Sequence, residues 1–215
     1  MTFQAVERVA QLAGAVGITV TLAVVLLGLW SGLRRPAGRT TGYHPGMLRS
    51  SAFYLAASIF YFGTCCLLWK PLPVTLSTLG SFVALALGGL LLYAGLGLVM
   101  WGRLALGEQY FVSTSMAAQL FADHRLATHG PYALVRHPMY LGFILTGVGG
   151  LLLYLTWTFV FVSLSFLGLV TRARREEQVL EAEFGDAYRD YRQQVPGWIP
   201  RLWKQNGETG PTTRR

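Results

Sequence analysis

Long apolar stretches separate short polar segments along this chain, and they constrain its fold more than any other feature. Three of them, residues 10–33, 50–69 and 78–101, are each long enough to cross a bilayer core as a helix of about 20 residues. A fourth stretch, residues 140–170, is 31 residues long and is interrupted near 154–158. The pattern therefore predicts three long helices followed by two shorter helices that form a tight hairpin.

Composition excludes a water-facing surface for most of the chain. Hydrophobic residues make up 53% of the sequence and charged residues only 13%, whereas a soluble domain carries about 25% charge. In a bilayer the backbone must satisfy its own hydrogen bonds, and helices do so within one segment. We therefore expect an all-α integral membrane protein with about five transmembrane helices.

The positions of the basic residues predict the orientation in the membrane. Sixteen of the 18 Lys and Arg residues fall in residues 33–49, in 102–140 or after position 171, and only Arg8 and Lys70 fall elsewhere. The positive-inside rule then places the N-terminus outside and the C-terminus in the cytosol. Anionic lipid headgroups account for the net charge of +8, so we expect membrane lipids and no nucleic acid as partners.

The sequence GPYALVRHPMYLG places a cation and an imidazole directly before the fourth apolar stretch. Proline fits the first turn of a helix, where its missing N–H is not needed, so we expect the fourth membrane helix to begin at Pro138 with His137 at its N-cap. Such a helix end favours a bound carboxylate. Arg136 and His137 have two interpretations here, an anchor at headgroup level or part of a polar site.

Glu176 and Glu177 stand just beyond the fifth apolar helix. If the hairpin is tight, residues 171–177 return to the depth of residues 136–140, which brings a carboxylate beside an imidazole and aromatic rings. The alternative is an ordinary charged helix, in which Arg172 and Glu176 pair at i, i+4. The two cysteines, Cys65 and Cys66, are adjacent and lack the spacing of a metal-binding motif, so we expect no metal.

Together these features form one compound pattern: an RHPxY box, a hairpin, a Glu pair, FGxxYxxY and a Val-Pro dipeptide. The residues that carry it are His124, Leu126, Gly130, Pro131, Tyr132, Arg136, His137, Pro138, Tyr140, Glu176, Glu177, Phe184, Gly185, Tyr188, Tyr191, Val195 and Pro196. This pattern resembles the isoprenylcysteine carboxyl methyltransferase family, and the related phospholipid N-methyltransferases share much of it. The resemblance covers residues 124–200, about a third of the chain.

The resemblance implies a membrane enzyme that moves a methyl group from S-adenosylmethionine to a lipophilic acceptor from the bilayer, such as the carboxylate of a prenylated cysteine. The cofactor-binding residues that it implies are His124, Arg125, Leu126, Ala127, Tyr132, His137, Pro138, Met139, Tyr140 and Glu176. It implies catalytic roles for Arg172, which would face the acceptor, and for His137. An amine or thiol acceptor would need deprotonation, for which His124, His129 and His137 are candidate bases.

The implied organisation places three transmembrane helices in residues 1–103 and a catalytic region in 104–200 around a hairpin at 138–171, with a disordered tail at 201–215. The cofactor pocket would lie on the cytosolic side, built from the loop before the hairpin and the C-terminal helices. Other acceptors give the alternatives of a phospholipid N-methyltransferase or a small thiol or amine methyltransferase. Less favoured are an NADPH-dependent enzyme like the sterol reductases and a non-enzymatic membrane adaptor.

Overall fold

A computed structural model describes residues 2–32, 37–42, 50–110, 117–121 and 125–200. The predicted site residue His124 and the predicted tail 201–215 lie outside the described residues. In chain order the elements are α1 (Phe3–Gly32), β1 (Ala37–Gly42), α2 (Ser51–Leu67), α3 (Thr78–Leu106), β2 (Ala117–Phe121), α4 (Pro138–Tyr154), α5 (Trp157–Ser165), α6 (Gly168–Phe184) and α7 (Asp186–Gln194), with short 3-10 turns at Gly107–Gln109 and Gly130–Ala133.

The prediction of a mainly helical fold is confirmed, and two of its helices are candidate membrane spans. By length and composition, α1 and α3 are able to cross a bilayer, while α2 and α4 are apolar but only 17 residues long. The structure adds one element that the sequence analysis did not predict, an antiparallel pairing of β1 with β2 that sets Gly42 opposite Ala117. The sequence AGRTTG of β1 carries no apolar alternation, which is the usual signal of a strand.

The small sheet brings together segments that are distant in the sequence. Strand β1 follows α1 and strand β2 follows α3, and both strands lie against α6. The loops after the first and third helices therefore meet α6 at one end of the helical bundle. The start of α4 lies at the same end, because Arg136 and Glu177 of α6 are in direct contact.

Glycines allow α3 and α4 to pack with their backbones in contact. A Cβ on Gly95 of α3 would meet the carbonyl oxygen of Gly142 in α4, and a Cβ on Gly88 would meet the carbonyl of Gly149. Small residues permit this close approach between membrane helices. The sequence predicts that Gly88 and Gly95, both in the third apolar stretch, allow close helix packing, and the structure confirms this.

The predicted interruption near residue 154 is a tight corner. Helix α4 ends at Tyr154, Leu155 adopts a left-handed conformation with φ of 47°, and α5 begins at Trp157. The corner is tied to the loop after α2, since the Leu72 N–H donates to the Leu155 carbonyl at 2.7 Å and the Trp157 N–H donates to the Lys70 carbonyl at 3.0 Å. These hydrogen bonds fix the C-terminal end of α4, which is opposite to the end that contacts Glu177 of α6.

A glycine separates the two C-terminal helices, as expected. Helix α6 ends at Phe184, and Gly185 takes a positive φ of 53° that a residue with a side chain rarely adopts. An acidic residue after that glycine also predicts Asp186 as the cap of the next helix, and this prediction is wrong, because Gly185 occupies the N-cap and Asp186 is the first helical residue. The Asp186 carboxylate instead accepts a hydrogen bond from Arg189 at 2.6 Å.

Candidate active site

The start of α4 forms as the proline position predicts. Pro138 is the first residue of α4 and His137 is its N-cap, although the imidazole makes no capping hydrogen bond. The His137 side chain instead turns toward α6, where its Nε2 lies 2.8 Å from Oε1 of Glu177. Only 6% of His137 is exposed. The imidazole is therefore held inside the protein by a carboxylate.

Arg136 binds the same carboxylate. Its Nε and Nη2 donate to Oε1 of Glu177 at 3.1 and 2.8 Å. Burial raises the pKa of Glu177, but the hydrogen bonds from His137 and Arg136 outweigh it and lower the pKa to about 2. Glu177 is consequently ionised at physiological pH. Arg136 is not a headgroup anchor, because its side chain is 14% exposed and its charge is paired inside the protein.

A second polar cluster is formed by Tyr140, three residues after His137, and by Glu176, the residue before Glu177. The Tyr140 hydroxyl donates to Oε1 of Glu176, and Nε of Arg172 lies 3.8 Å from the same oxygen. The Arg172 guanidinium also lies over the Tyr140 ring, 5.2 Å from its centroid. The i, i+4 pair of Arg172 and Glu176 that a plain charged helix would form is present, and Tyr140 joins it from α4.

Aromatic rings connect the two clusters. The His137 and Tyr140 rings are stacked, with centroids 5.6 Å apart and planes 10° apart. Trp198, after α7, lies 5.4 Å from His137 and 6.4 Å from Tyr140 between ring centroids. Three rings thus gather beside the carboxylate of Glu176 at the start of α4.

The next wall of this region is formed by Tyr132 and Met139. Gly102 of α3 lies so close to Met139 that any Cβ there would overlap its side chain. The Tyr132 carbonyl accepts a hydrogen bond from the Tyr191 hydroxyl at 2.7 Å. Burial raises the pKa of Tyr132 well above its usual value, so its hydroxyl remains a hydrogen-bond donor.

The segment before the 3-10 turn lies along the end of α3. The Arg125 N–H donates to Oε1 of Gln109 at 3.0 Å, and Nε2 of His129 lies 3.1 Å from the Ala105 carbonyl. Leu126 and Ala127 are half-buried, while Arg125 is exposed. The predicted cofactor-binding residues Arg125, Leu126 and Ala127 therefore border the end of α3. His124, which the sequence groups with them, lies outside the described residues.

The structure brings together several of the predicted site residues. His137, Pro138, Met139 and Tyr140 share the first turn of α4, and Tyr140 contacts both Glu176 and Arg172. Sequence reasoning placed Arg136 and Glu177 in the family pattern without a catalytic or cofactor-binding role, and it did not place Trp198 in the site. For Glu177 a signal was available, because Leu169, Ala173 and Glu177 are spaced at i, i+4 and two of them are apolar.

This arrangement is suited to binding an amphipathic organic molecule. Its aromatic rings can recognise a cation. The carboxylate of Glu176 can accept hydrogen bonds from polar donors, and the largely buried guanidinium of Arg172 can bind an anion. In the described part of the chain, no group of three or more His, Cys, Asp or Glu residues is placed to hold a metal ion.

Comparison with known proteins confirms the predicted resemblance. Residues 84–182 match the model of the isoprenylcysteine carboxyl methyltransferase family. That region contains α4, α5 and both glutamates of the polar clusters. The first turn of α4 and the α6 carboxylates thus fall within the segment characteristic of the family.

Three relatives illustrate the range of similar proteins. The chain is 38% identical over 112 residues to a protein-S-isoprenylcysteine O-methyltransferase of Schizosaccharomyces pombe, which covers 46% of this chain and 47% of the relative. It is 32% identical over 152 residues to methanethiol S-methyltransferase 2 of Bradyrhizobium diazoefficiens, covering 63% of this chain and 53% of the relative. It is 26% identical over 175 residues to a methanethiol S-methyltransferase of Pseudomonas deceptionensis, covering 76% and 63%. The chain spans about half the length of the first two relatives.

Proposed function

We propose that the chain is a membrane-embedded methyltransferase that transfers a methyl group from S-adenosylmethionine to a lipophilic acceptor. The observation that carries the proposal is the contact of Tyr140 with Glu176 and Arg172, within the region matched to a methyltransferase family. The named relatives act on different acceptors, but each name describes methyl transfer.

The residues at the start of α4 fit a donor of this kind. When bound, S-adenosylmethionine supplies a methyl group carried on a sulfonium cation. The rings of Tyr140 and His137 present aromatic faces, which can stabilise such a cation by about 0.5–2 kcal/mol. Glu176 supplies a carboxylate for the polar end of the donor, and Tyr132, Pro138 and Met139 would form the rest of the pocket. Residues 124–127 would close it from the α3 side.

The acceptor that the site favours is a carboxylate. Nε of Arg172 is buried and makes no hydrogen bond among the described residues. Its ion pair with Glu176 is long, at 3.8 Å, so a closer anion would satisfy the free N–H. Guanidinium groups bind carboxylates through paired N–H donors. The side chain of Arg172 would therefore orient the carboxylate of a prenylated cysteine or of a similar small hydrophobic acid.

A carboxylate acceptor also agrees with the state of His137. Its Nε2 is engaged by Glu177 at 2.8 Å, which leaves only Nδ1 for proton transfer, and a carboxylate acceptor makes no use of that nitrogen. Carboxylate methylation needs no deprotonation, so orientation and exclusion of water would supply the rate enhancement. Orientation alone contributes roughly 7–11 kcal/mol in well-aligned reactions.

A small thiol is the second candidate acceptor. The matches that extend furthest along this chain are to two methanethiol S-methyltransferases, covering 63% and 76% of it. A thiol would have to lose its proton, and His137 or His129 would then act as the base. A phospholipid amine would need the same step.

The proposed topology has about five membrane helices, with the N-terminus outside and the C-terminus in the cytosol. Helices α4 and α5 form a hairpin that is tilted or crosses only in part, because α5 has nine residues. The pairing of β1 with β2 and their position against α6 support a common side for both loops and the C-terminal region. That side also carries most of the basic residues. The donor pocket would accordingly open toward the cytosol.

Transfer of a labelled methyl group tests the proposal. Purified protein in detergent is incubated with methyl-labelled S-adenosylmethionine and with either a prenylated cysteine or methanethiol, and product is counted. We expect label on the prenylated cysteine carboxylate. We expect Arg172→Gln to reduce its kcat/KM by 10-fold or more, roughly the value of one charged hydrogen bond. Label on methanethiol alone would replace the first acceptor by the second. The proposal would be refuted if a folded protein neither bound S-adenosylmethionine nor transferred label to any lipid, acid, amine or thiol.

A further inference from the structure

The segment after α7, residues 195–198, folds back over the start of α4; we name it the C-terminal strap. The Arg136 N–H donates to the Pro196 carbonyl at 2.8 Å, and the His137 N–H donates to the Gly197 carbonyl at 3.1 Å. These bonds satisfy backbone donors just before α4 that the helix itself leaves free. The strap is therefore joined in backbone register to the RHP sequence.

The Arg136 side chain reinforces this attachment. Its Nη1 donates to the Val195 carbonyl at 2.6 Å and to the Arg192 carbonyl at 3.2 Å, while its other nitrogens bind Glu177. One guanidinium thus joins α6, the end of α7 and the strap. Lysine has a single nitrogen and cannot reproduce these separate contacts.

The strap ends at Trp198, whose indole lies over the His137 and Tyr140 rings. His137 and Tyr140 are 6% and 7% exposed, whereas Trp198 is only half-buried. Trp198 also packs against Tyr140, Leu169 and Ala173. It is consequently the most exposed of the three rings, and it covers part of the inner two.

We infer that Trp198 forms an outer wall of the methyl-donor site and that Arg136 and Glu177 position it there. The inference rests on the proposed function. An indole is the strongest aromatic partner of an organic cation, and its large face excludes water from the inner rings. Arg136 and Glu177 act on the bound molecule only through the strap and through His137.

Binding measurements on purified protein test the inference. The probe is S-adenosylhomocysteine, the demethylated donor, together with S-adenosylmethionine itself. We expect Trp198→Ala to weaken binding of S-adenosylmethionine by about tenfold, and binding of S-adenosylhomocysteine by less because its sulfur carries no charge. Trp198→Phe should retain most of the affinity for both. Trp157→Ala is the matched control, because Trp157 is 45% exposed at the opposite end of α4 and should leave affinity unchanged.

Intrinsic fluorescence gives a readout that a structural role would not move. We expect ligand binding to change the tryptophan emission of the wild type and of Trp157→Phe. In Trp198→Phe the change should be absent although the ligand still binds. A full emission change in Trp198→Phe, or unaltered affinity in a folded Trp198→Ala, would overturn the inference.

A double-mutant cycle tests the positioning role. If Arg136 acts through the strap, Arg136→Lys should weaken binding several-fold in the wild-type background and much less in the Trp198→Ala background. Equal effects in both backgrounds would show that Arg136 acts independently of Trp198. A wild type that binds neither ligand would refute the proposed function itself, whereas normal wild-type binding with silent Trp198 variants would refute only this inference.

Discussion

The buried carboxylate of Glu177 makes the stability of the protein depend on pH in a predictable direction. Its pKa falls from an ordinary 4.5 to about 2 on folding. A carboxyl group whose pKa is lower in the folded state stabilises that state fully when the pH is above the pKa of the unfolded chain. The stabilisation is lost as the pH falls toward the pKa of the folded state. The contribution is about 3 kcal/mol at neutral pH, and less than half of it remains at about pH 3.

The variant Glu177→Gln removes this contribution while nearly keeping the side-chain volume. A loss of about 3 kcal/mol corresponds to a fall of roughly 6–12 °C in the unfolding temperature of a chain of this size. We therefore expect Glu177→Gln to unfold at a lower temperature than the wild type at pH 7. The difference should narrow steadily as the pH falls from about 4.5 toward 3.

Thermal unfolding in one detergent, followed by tryptophan fluorescence between pH 7 and 3, measures this difference. Asp190→Asn is the matched control, since Asp190 lies exposed on α7 and its variant should track the wild type at every pH. Equal unfolding temperatures for the wild type and Glu177→Gln at pH 7 would refute the reasoning. A gap that stays constant down to pH 3 would refute it equally, because it could not arise from the charge of Glu177.

Two further predictions follow from the packing and from the Glu176 contact. Gly149→Ala should lower the unfolding temperature, because its Cβ would overlap the backbone of Leu92 and overpacking costs about 1–3 kcal/mol. Gly97→Ala is the control: its Cβ meets nothing within 4 Å, so the unfolding temperature should stay unchanged or rise slightly. Equal behaviour of the two glycine variants would contradict the α3–α4 contact. Tyr140→Phe keeps the ring but removes the hydroxyl that donates to Glu176, so titration calorimetry should show donor binding weakened by roughly 10-fold; unaltered affinity would exclude a role for that hydrogen bond.

Much of the helical frame was predictable because it depends on local patterns. Pro138 marks the start of α4 through its missing N–H, and Gly185 marks the end of α6 through its positive φ. The corner at Leu155 was visible as a break in a long apolar stretch. Gly88 and Gly95 were recognisable as packing positions, since small residues at such spacing permit close contact between membrane helices.

The remaining features depend on contacts between distant segments. The pairing of β1 with β2 joins residues about 80 positions apart and has no periodic signal in either strand. The sequence left both a site role and a plain surface role open for Glu177 and Arg136, because only the approach of α6 to α4 buries them. From the sequence, Trp198 has the properties of an interfacial anchor, and its contact with His137 depends on the fold-back of the strap.

Equilibrium binding of S-adenosylmethionine to the detergent-purified protein tests the central claim most directly. The wild type should bind it in the micromolar range, about −8 kcal/mol, and Glu176→Gln and His137→Ala should bind at least tenfold more weakly while Asp190→Asn binds normally. NADPH should not compete. Binding of NADPH without any response to S-adenosylmethionine, or equal affinity in the wild type and in Glu176→Gln, would contradict the assignment of this site to a methyl donor.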